Sequence, residues 1–229
     1  MLTVGFAALG LWQIQRMHWK HALIARVDAR VHAVPAALPG NAELIAKGSD
    51  GTEYLRVRAS GTYIGRASAL VRAATELGTG YWTMTPMRLD DGRLVWINRG
   101  FLPEGSKLAQ VRKGVPQGRV SVIGLVREDE PGGSLLQSNR PGDERWYSRD
   151  IAALSRSRQL GPAAPVFIDA QSESAAGKVP GGLAPKPGLT VIHFPDNHLG
   201  YVLTWFAMAF MSIAATVFVW TRKGGRQAC

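Results

Sequence analysis

Residues 199–220 are 22 consecutive positions without one charged side chain. An α-helix rises 1.5 Å per residue, so this stretch is long enough to cross a hydrocarbon core about 30 Å thick. A soluble core helix that is apolar all round is the competing assignment, but such helices seldom run this long uncharged. Directly behind it comes Thr221-Arg222-Lys223-Gly224-Gly225-Arg226, and basic residues just beyond a span favour the cytoplasmic side. A transmembrane helix over residues 197–220 with an inward-facing basic tail, 221–229, is therefore expected.

At the other end, residues 1–12 are also apolar, with Thr3 their one polar member. They pass into Gln13-Ile14-Gln15-Arg16 without a small-residue cleavage site, which marks an anchor over residues 1–19 rather than a removed signal peptide. Twelve helical residues reach only about 18 Å, and no basic residue precedes them. Either the anchor begins upstream of Met1 or the helix is too short to cross alone. The first is expected, because a helix starting at Met1 would lack inside-facing positive charge. With both ends inside, residues 20–196 form an outer domain.

Of the formal net charge of +10, the tail and the pair Arg16 and Lys20 supply half; the rest of the chain carries 22 basic against 17 acidic residues. That excess suits an anionic lipid surface or an acidic partner. A nucleic-acid partner is not expected, because it needs a basic stripe with aromatic platforms and these basic residues are scattered singly among strands. The single cysteine, Cys229, sits in the tail. The outer domain therefore has no disulfide and must be held by an ordinary core.

Past Trp12 a helical pattern continues, with Leu23, Ile24 and Val27 on one side, until Pro35 and Pro39 stop it. From Tyr54 the period becomes two, in runs at residues 54–63, 69–71, 81–85, 94–97, 120–123 and 166–168. Asp90-Asp91-Gly92 reads as a hairpin turn. Within this block only residues 149–158 read as a helix, so the spacing predicts an antiparallel sheet, open or closed into a barrel. Residues 129–141 and 171–188 are expected as irregular loops, the second leading back toward the membrane.

Histidine is the most informative residue type. His18, His21, His32, His193 and His198 all lie within about fifteen residues of a membrane segment, and residues 33–192 contain neither His nor Cys. Transition-metal sites and most nucleophile–base pairs draw on those residues, so the outer domain is expected to house neither. Asp90, Asp91 and the Glu128-Asp129-Glu130 run are the remaining acidic candidates, and they read as a turn and a solvated strand end.

On the second helix, at about 100° per residue, His198, Tyr201, Val202, Trp205, Ala209 and Ser212 share one face with His198 at its mouth. On the first, Trp12, Gln13, Arg16, Trp19 and Lys20 share a sector. Tryptophan and tyrosine at this depth are by default interfacial belt residues, and Arg16 and Lys20 headgroup anchors. An ionisable side chain at the opening of a membrane helix is usually tied to function, and a neutral imidazole there can ligate haem iron. A tetrapyrrole suits the setting, its body against aromatic and small side chains and its propionates toward Arg16 or Lys20.

Several strings resemble the Surfeit locus protein 1 family of cytochrome c oxidase assembly factors, in order and over nearly the whole chain. They are Leu9-Gly10-Leu11-Trp12-Gln13 with Arg16 and Trp19-Lys20, Gly80-Tyr81-Trp82-Thr83-Met84-Thr85-Pro86, and the Asn98-Arg99-Gly100 turn followed by Phe101-Leu102-Pro103. Asn139, Pro141, Trp146 and Asp150 follow, then Pro180-Gly181-Gly182, Pro185 and the most specific string, Asn197-His198-Leu199-Gly200-Tyr201-Val202-Leu203-Thr204-Trp205-Phe206. The chain departs from the family pattern at Phe101, Asp196 and Gly200, where Trp, Asn and Gln are common.

The resemblance implies two membrane helices, an outward-facing domain, and a role in maturing the haem–copper oxidase. It further implies haem a, held in bacterial members through the histidine aligned with His198. His198 would then be the axial ligand, with Tyr201 and Trp205 as pocket neighbours by helical spacing; His193 and His18 are geometric candidates for a second ligand.

The fold expected is thus two transmembrane α-helices flanking a mainly antiparallel β outer domain with a few short helices. The function expected is a non-enzymatic assembly factor in a bacterial-type inner membrane, its main domain facing the periplasm. It would bind haem a at the outer interface and meet cytochrome c oxidase subunits and haem a synthesis or delivery proteins. The alternative is a haem-independent scaffold for an oxidase assembly intermediate. A third reading, an anchored hydrolase, is opposed by the lack of His and Cys in the domain.

Overall fold

A computed structural model describes residues 2–134, 136–177, 181–190, 192 and 197–224. The chain divides into two compact units, Met1–Ala29 with Ile192–Cys229, and Arg30–Val191.

In the first unit, helix α1 spans Leu2–His32 and helix α5 spans His198–Gly224. Among the described residues one helix, His198–Arg222, is long and apolar enough to cross a membrane. Helix α1 ends at His32, three residues before Pro35, because a residue preceding proline is driven out of the helical region. It is longer than its apolar start, and Arg16, Lys20, Arg26, Asp28 and Arg30 interrupt its second half.

The second unit is built on seven strands: β1 Ala36–Ala37, β2 Arg56–Tyr63, β3 Ala69–Thr75, β4 Gly78–Leu89, β5 Leu94–Pro103, β6 Arg119–Glu128 and β7 Val166–Ala175. They run in the order β1-β2-β6-β7-β5-β4-β3, and β2 also pairs with β4, so β2, β6, β7, β5 and β4 close into a five-stranded barrel. Closure rests on three antiparallel pairs, Gly61 with Leu89, Thr62 with Arg88 and Tyr63 with Met87. The barrel is mixed: β5 and β7 are parallel, as are β1 and β2, while the other pairs are antiparallel. The reading of the sheet as mainly antiparallel needs that qualification. A parallel pair demands a long crossover, and between β5 and β7 the chain builds all of β6 and the 129–165 segment.

Alternation places Val57, Ala59 and Tyr63 of β2, Met87 and Leu89 of β4, Val95 and Ile97 of β5, Val120 and Val122 of β6, and Ile168 of β7 in one buried cluster. The opposite parity, Met84, Trp96 and Phe167, packs under Ile151 and Leu154 of helix α4, Ile151–Ser157, and under Trp146. Strand β5 is therefore buried on both faces from Leu94 to Leu102, which explains its continuous apolar run. Trp96 is fully buried and donates its indole N–H to Ser155 Oγ at 2.9 Å. Asp150 caps α4 by accepting from the Ala153 amide.

Four sequence expectations are corrected here. Within the block from Tyr54, helix α3, Leu108–Lys113, accompanies α4 and is under two turns, too short for helical periodicity to register; before that block lies helix α2, Asn41–Thr52, one of the few short helices expected, which breaks at Gly48. Residues 171–175 are not loop but the second half of β7, paired with residues 120–123 of β6. Their polar composition hid them, since one face of that half-strand is exposed. Asn98-Arg99-Gly100 is not a turn and lies inside β5. Gly100 has φ +127°, and an added Cβ would stand 2.2 Å from the Lys186 carbonyl, so only glycine fits where Phe101 and Lys186 exchange backbone hydrogen bonds. Finally, Glu128-Asp129-Glu130 is a solvated strand end only at Glu128, the exposed last residue of β6: Asp129 accepts the Ile151 amide at 2.6 Å, and Glu130 is ion-paired with Arg149.

The Asp90-Asp91-Gly92 turn does join β4 to β5. Its carboxylates are occupied structurally, Asp90 by Arg119 and Asp91 by Arg93.

Candidate functional site at the His198 end of the helix pair

Helices α1 and α5 pack antiparallel, because contacts step in opposite directions along them. Gln13 meets His198, Phe6 meets Trp205, and Thr3 meets Ser212. On α5, Val202 and Ala209 are buried and His198, Trp205 and Ser212 are half-buried. Those positions advance by four and three residues in turn, the spacing of a helix–helix seam. Gly10 lets the helices approach, since a Cβ there would lie 2.9 Å from the Phe206 ring.

At the seam's upper end His198 Nδ1 is 2.8 Å from Gln13 Oε1. An amide oxygen only accepts, so Nδ1 carries the proton in this arrangement, which leaves the lone pair of a neutral ring on Nε2. Below it the Phe6 and Trp205 rings stack with centroids 6.0 Å apart and 27° between planes. Thr3 Oγ1 and Ser212 Oγ are 2.8 Å apart, satisfying two hydroxyls within an apolar stretch.

His198 and Trp205 thus share the seam as the helical spacing predicts. Tyr201 does not: it is 54 % exposed, beside the seam rather than in it, because three residues at 100° leave it 60° short of a full turn. The sector proposed on α1 also splits. Gln13 turns to α5, whereas Trp12 and Trp19 are exposed. Arg16 lies over the Trp19 ring at 4.1 Å, a cation–π contact one turn along α1. The α1 side chain that meets His198 is Gln13, not His18, and His193 lies outside the described residues.

A cavity of about 680 Å³ is at the far end of the seam, between Leu2 and Phe6 of α1 and residues from Met208 to Trp220 of α5. It is apolar and does not include His198.

Sequence reasoning missed the polar centre of the second unit. Asp169 of β7 is 4 % exposed and accepts from Asn98 Nδ2 at 2.8 Å, Thr190 Oγ1 at 3.0 Å, Arg127 at 3.3 Å and Arg149 at 3.4 Å. Nearby on the same strand Glu173 takes two hydrogen bonds from Arg99, both 2.9 Å, and one from the Tyr63 hydroxyl at 2.8 Å. Burial, and then the adjacent Glu173 charge, push the Tyr63 phenol well above its ordinary range. These acids were hidden because their partners are 20 to 110 residues distant in sequence. Every carboxylate oxygen of the pair accepts a donor, so the network braces the barrel rather than offering a base. Among the described residues no three His, Cys, Asp or Glu side chains are grouped to hold a metal ion.

The model of the SURF1 family matches residues 1–210 of this chain. A SURF1-like protein of Monosiga brevicollis is 34% identical over 96% of the chain and 85% of its own length. Surfeit locus protein 1 of Homo sapiens is 31% identical over 97% and 75%, and that of Mus musculus 33% identical over 94% and 71%, respectively. With a family model spanning most of the sequence and relatives above 30% identity matched over more than two thirds of their length, the chain belongs to the SURF1 family.

Proposed function

We propose that this protein is a non-enzymatic assembly factor for a haem–copper cytochrome c oxidase, and that it holds haem a through His198 at the outer end of its helix pair. The observation that carries the reading is the pairing of His198 Nδ1 with the Gln13 amide oxygen. Metal-ligating histidines characteristically donate their second ring N–H to such an acceptor. The donor set fits a haem: one imidazole, the exposed Tyr201 ring beside it and Trp205 two turns below. Bound haem a would supply iron for the imidazole to ligate. The protein's part is to orient that ring, cover the macrocycle with apolar and aromatic surface, and meet its propionates with Arg16 or Lys20.

In this reading both helices anchor the chain in a bacterial-type inner membrane. The barrel unit faces the periplasm, where it meets oxidase subunits and haem a synthesis or delivery proteins. The basic residues after Trp220 favour that orientation.

The test is to purify the protein from cells that make haem a and record its absorption spectrum. Wild type should carry haem a, and His198→Ala should lose it. A colourless wild type, or a His198→Ala variant with its full haem complement, refutes haem handling and leaves the haem-independent scaffold, whose support is the barrel braced by Asp169 and Glu173.

A further inference from the structure

Gln13 is a polar side chain on the α1 seam that touches the proposed ligand. We propose that Gln13 is a positioning residue that fixes the tautomer and rotation of His198 and so sets its strength as an iron ligand; this rests on the haem reading above. An unconstrained neutral imidazole has two rotors and two tautomers. The Gln13 oxygen, 2.8 Å from Nδ1, favours one of each, the Nδ1–H tautomer in the rotation that faces α1. Gln13 is half-buried and His198 is half-buried on the facing helix, a setting in which a hydrogen bond competes less with water than at an open surface.

The seam itself maintains the contact. The Phe6–Trp205 stack and the close approach at Gly10 lie within three turns of it on the same helix pair, so the two backbones are held in register at Gln13. Trp12, the neighbouring residue of α1, faces out. Because the α1 partner is an amide and not a carboxylate, it orients the ring without adding negative charge. The imidazole then keeps a modest donor strength, as suits a protein that must release its haem.

The experiment uses the full-length protein in detergent with His ring nitrogens labelled with ¹⁵N, and haem a as the titrant. Without haem, His198 should show the Nδ1–H tautomer in wild type, and Gln13→Leu should shift it toward Nε2–H. With haem, Gln13→Leu should weaken binding by about 10- to 100-fold, the usual cost of losing such a partner. It should also lower the iron–histidine stretching frequency of the ferrous form, while Gln13→Glu, a stronger acceptor, should raise that frequency and lower the midpoint potential. A purely structural role predicts that both substitutions act in the same direction. If Gln13→Leu fails to fold, the Gln13→Glu arm decides alone, and an unchanged or lowered frequency overturns the proposal. If His198→Ala keeps its haem, the haem reading fails whatever Gln13 does. If His198→Ala loses haem but Gln13→Leu leaves tautomer, affinity and frequency unchanged, only the Gln13 assignment fails.

Discussion

Replacing Asp169 by Ala should be among the costliest single substitutions in the barrel unit. The carboxylate is 4 % exposed and receives four side-chain donors from β5, β6, the start of α4 and the segment after β7. Removing one member of a buried ion pair costs about 3–5 kcal/mol, because the partner charge stays behind. Here two guanidiniums are left, with side chains 19% and 12% exposed. Each keeps a second carboxylate, Glu53 for Arg127 at 2.7 Å and Glu130 for Arg149, which places the loss at the lower end, about 3 kcal/mol. For a domain of this size one kcal/mol moves Tm by about 2–4 °C, so the expected fall is about 6–12 °C.

The assay is thermal unfolding of the full-length protein in detergent, followed by near-ultraviolet circular dichroism, which reports the buried Trp96 and Trp146 rather than helix content. Arg127→Met should recover part of the loss in the Asp169→Ala background by removing a cation that lacks one of its two partners. A fall under about 2 °C, or strict additivity of the two substitutions, would show that the network is not coupled through Asp169.

Two further substitutions test the account of the barrel. Burial, helped by the neighbouring Asp150 and Glu130 charges, raises the Asp129 carboxyl above its usual range. A raised folded-state pKa contributes stability that is complete below the unfolded value and is lost as pH rises through the folded one. Asp129→Asn keeps the acceptor for the Ile151 amide. Its urea midpoint should therefore exceed wild type near pH 7 and converge with it below about pH 4; a variant equally stabilised at both would contradict the sign. At the barrel seam, a Cβ on Gly61 would sit 2.1 Å from the Arg88 carbonyl oxygen, so Gly61→Ala should cost about 1–3 kcal/mol through forced backbone movement. An unchanged denaturation midpoint would mean that β2 and β4 do not close the ring. The loss of haem from His198→Ala and the opposed effects of Gln13→Leu and Gln13→Glu complete the set.

The chain's sequence determined those features that depend on local composition. A run of 22 uncharged residues marks α5 as a helix long and apolar enough to cross a membrane. Alternation located the starts of the strands, because each pleat has one face in the core. The Asp90-Asp91-Gly92 turn needs only its own residues to join β4 to β5. His198 stood out because no histidine or cysteine lies between residues 33 and 192.

Tertiary structure decided what depends on meetings between distant residues. Barrel closure is a pairing of residues 61–63 with 87–89, and nothing within either strand encodes it. The polar half of β7 became a strand because β6 supplies its hydrogen bonds, and its Asp169 and Glu173 acquired meaning only from the arginines and Tyr63 brought to them. At the site the same division holds. Helical spacing gave the line from His198 to Trp205, while the pairing of Gln13 with His198, and the turning of Tyr201 out of the seam, followed from where a second helix lay against the first. Periodicity orders residues around one helix; only packing chooses which side chain of the other helix lies within 2.8 Å.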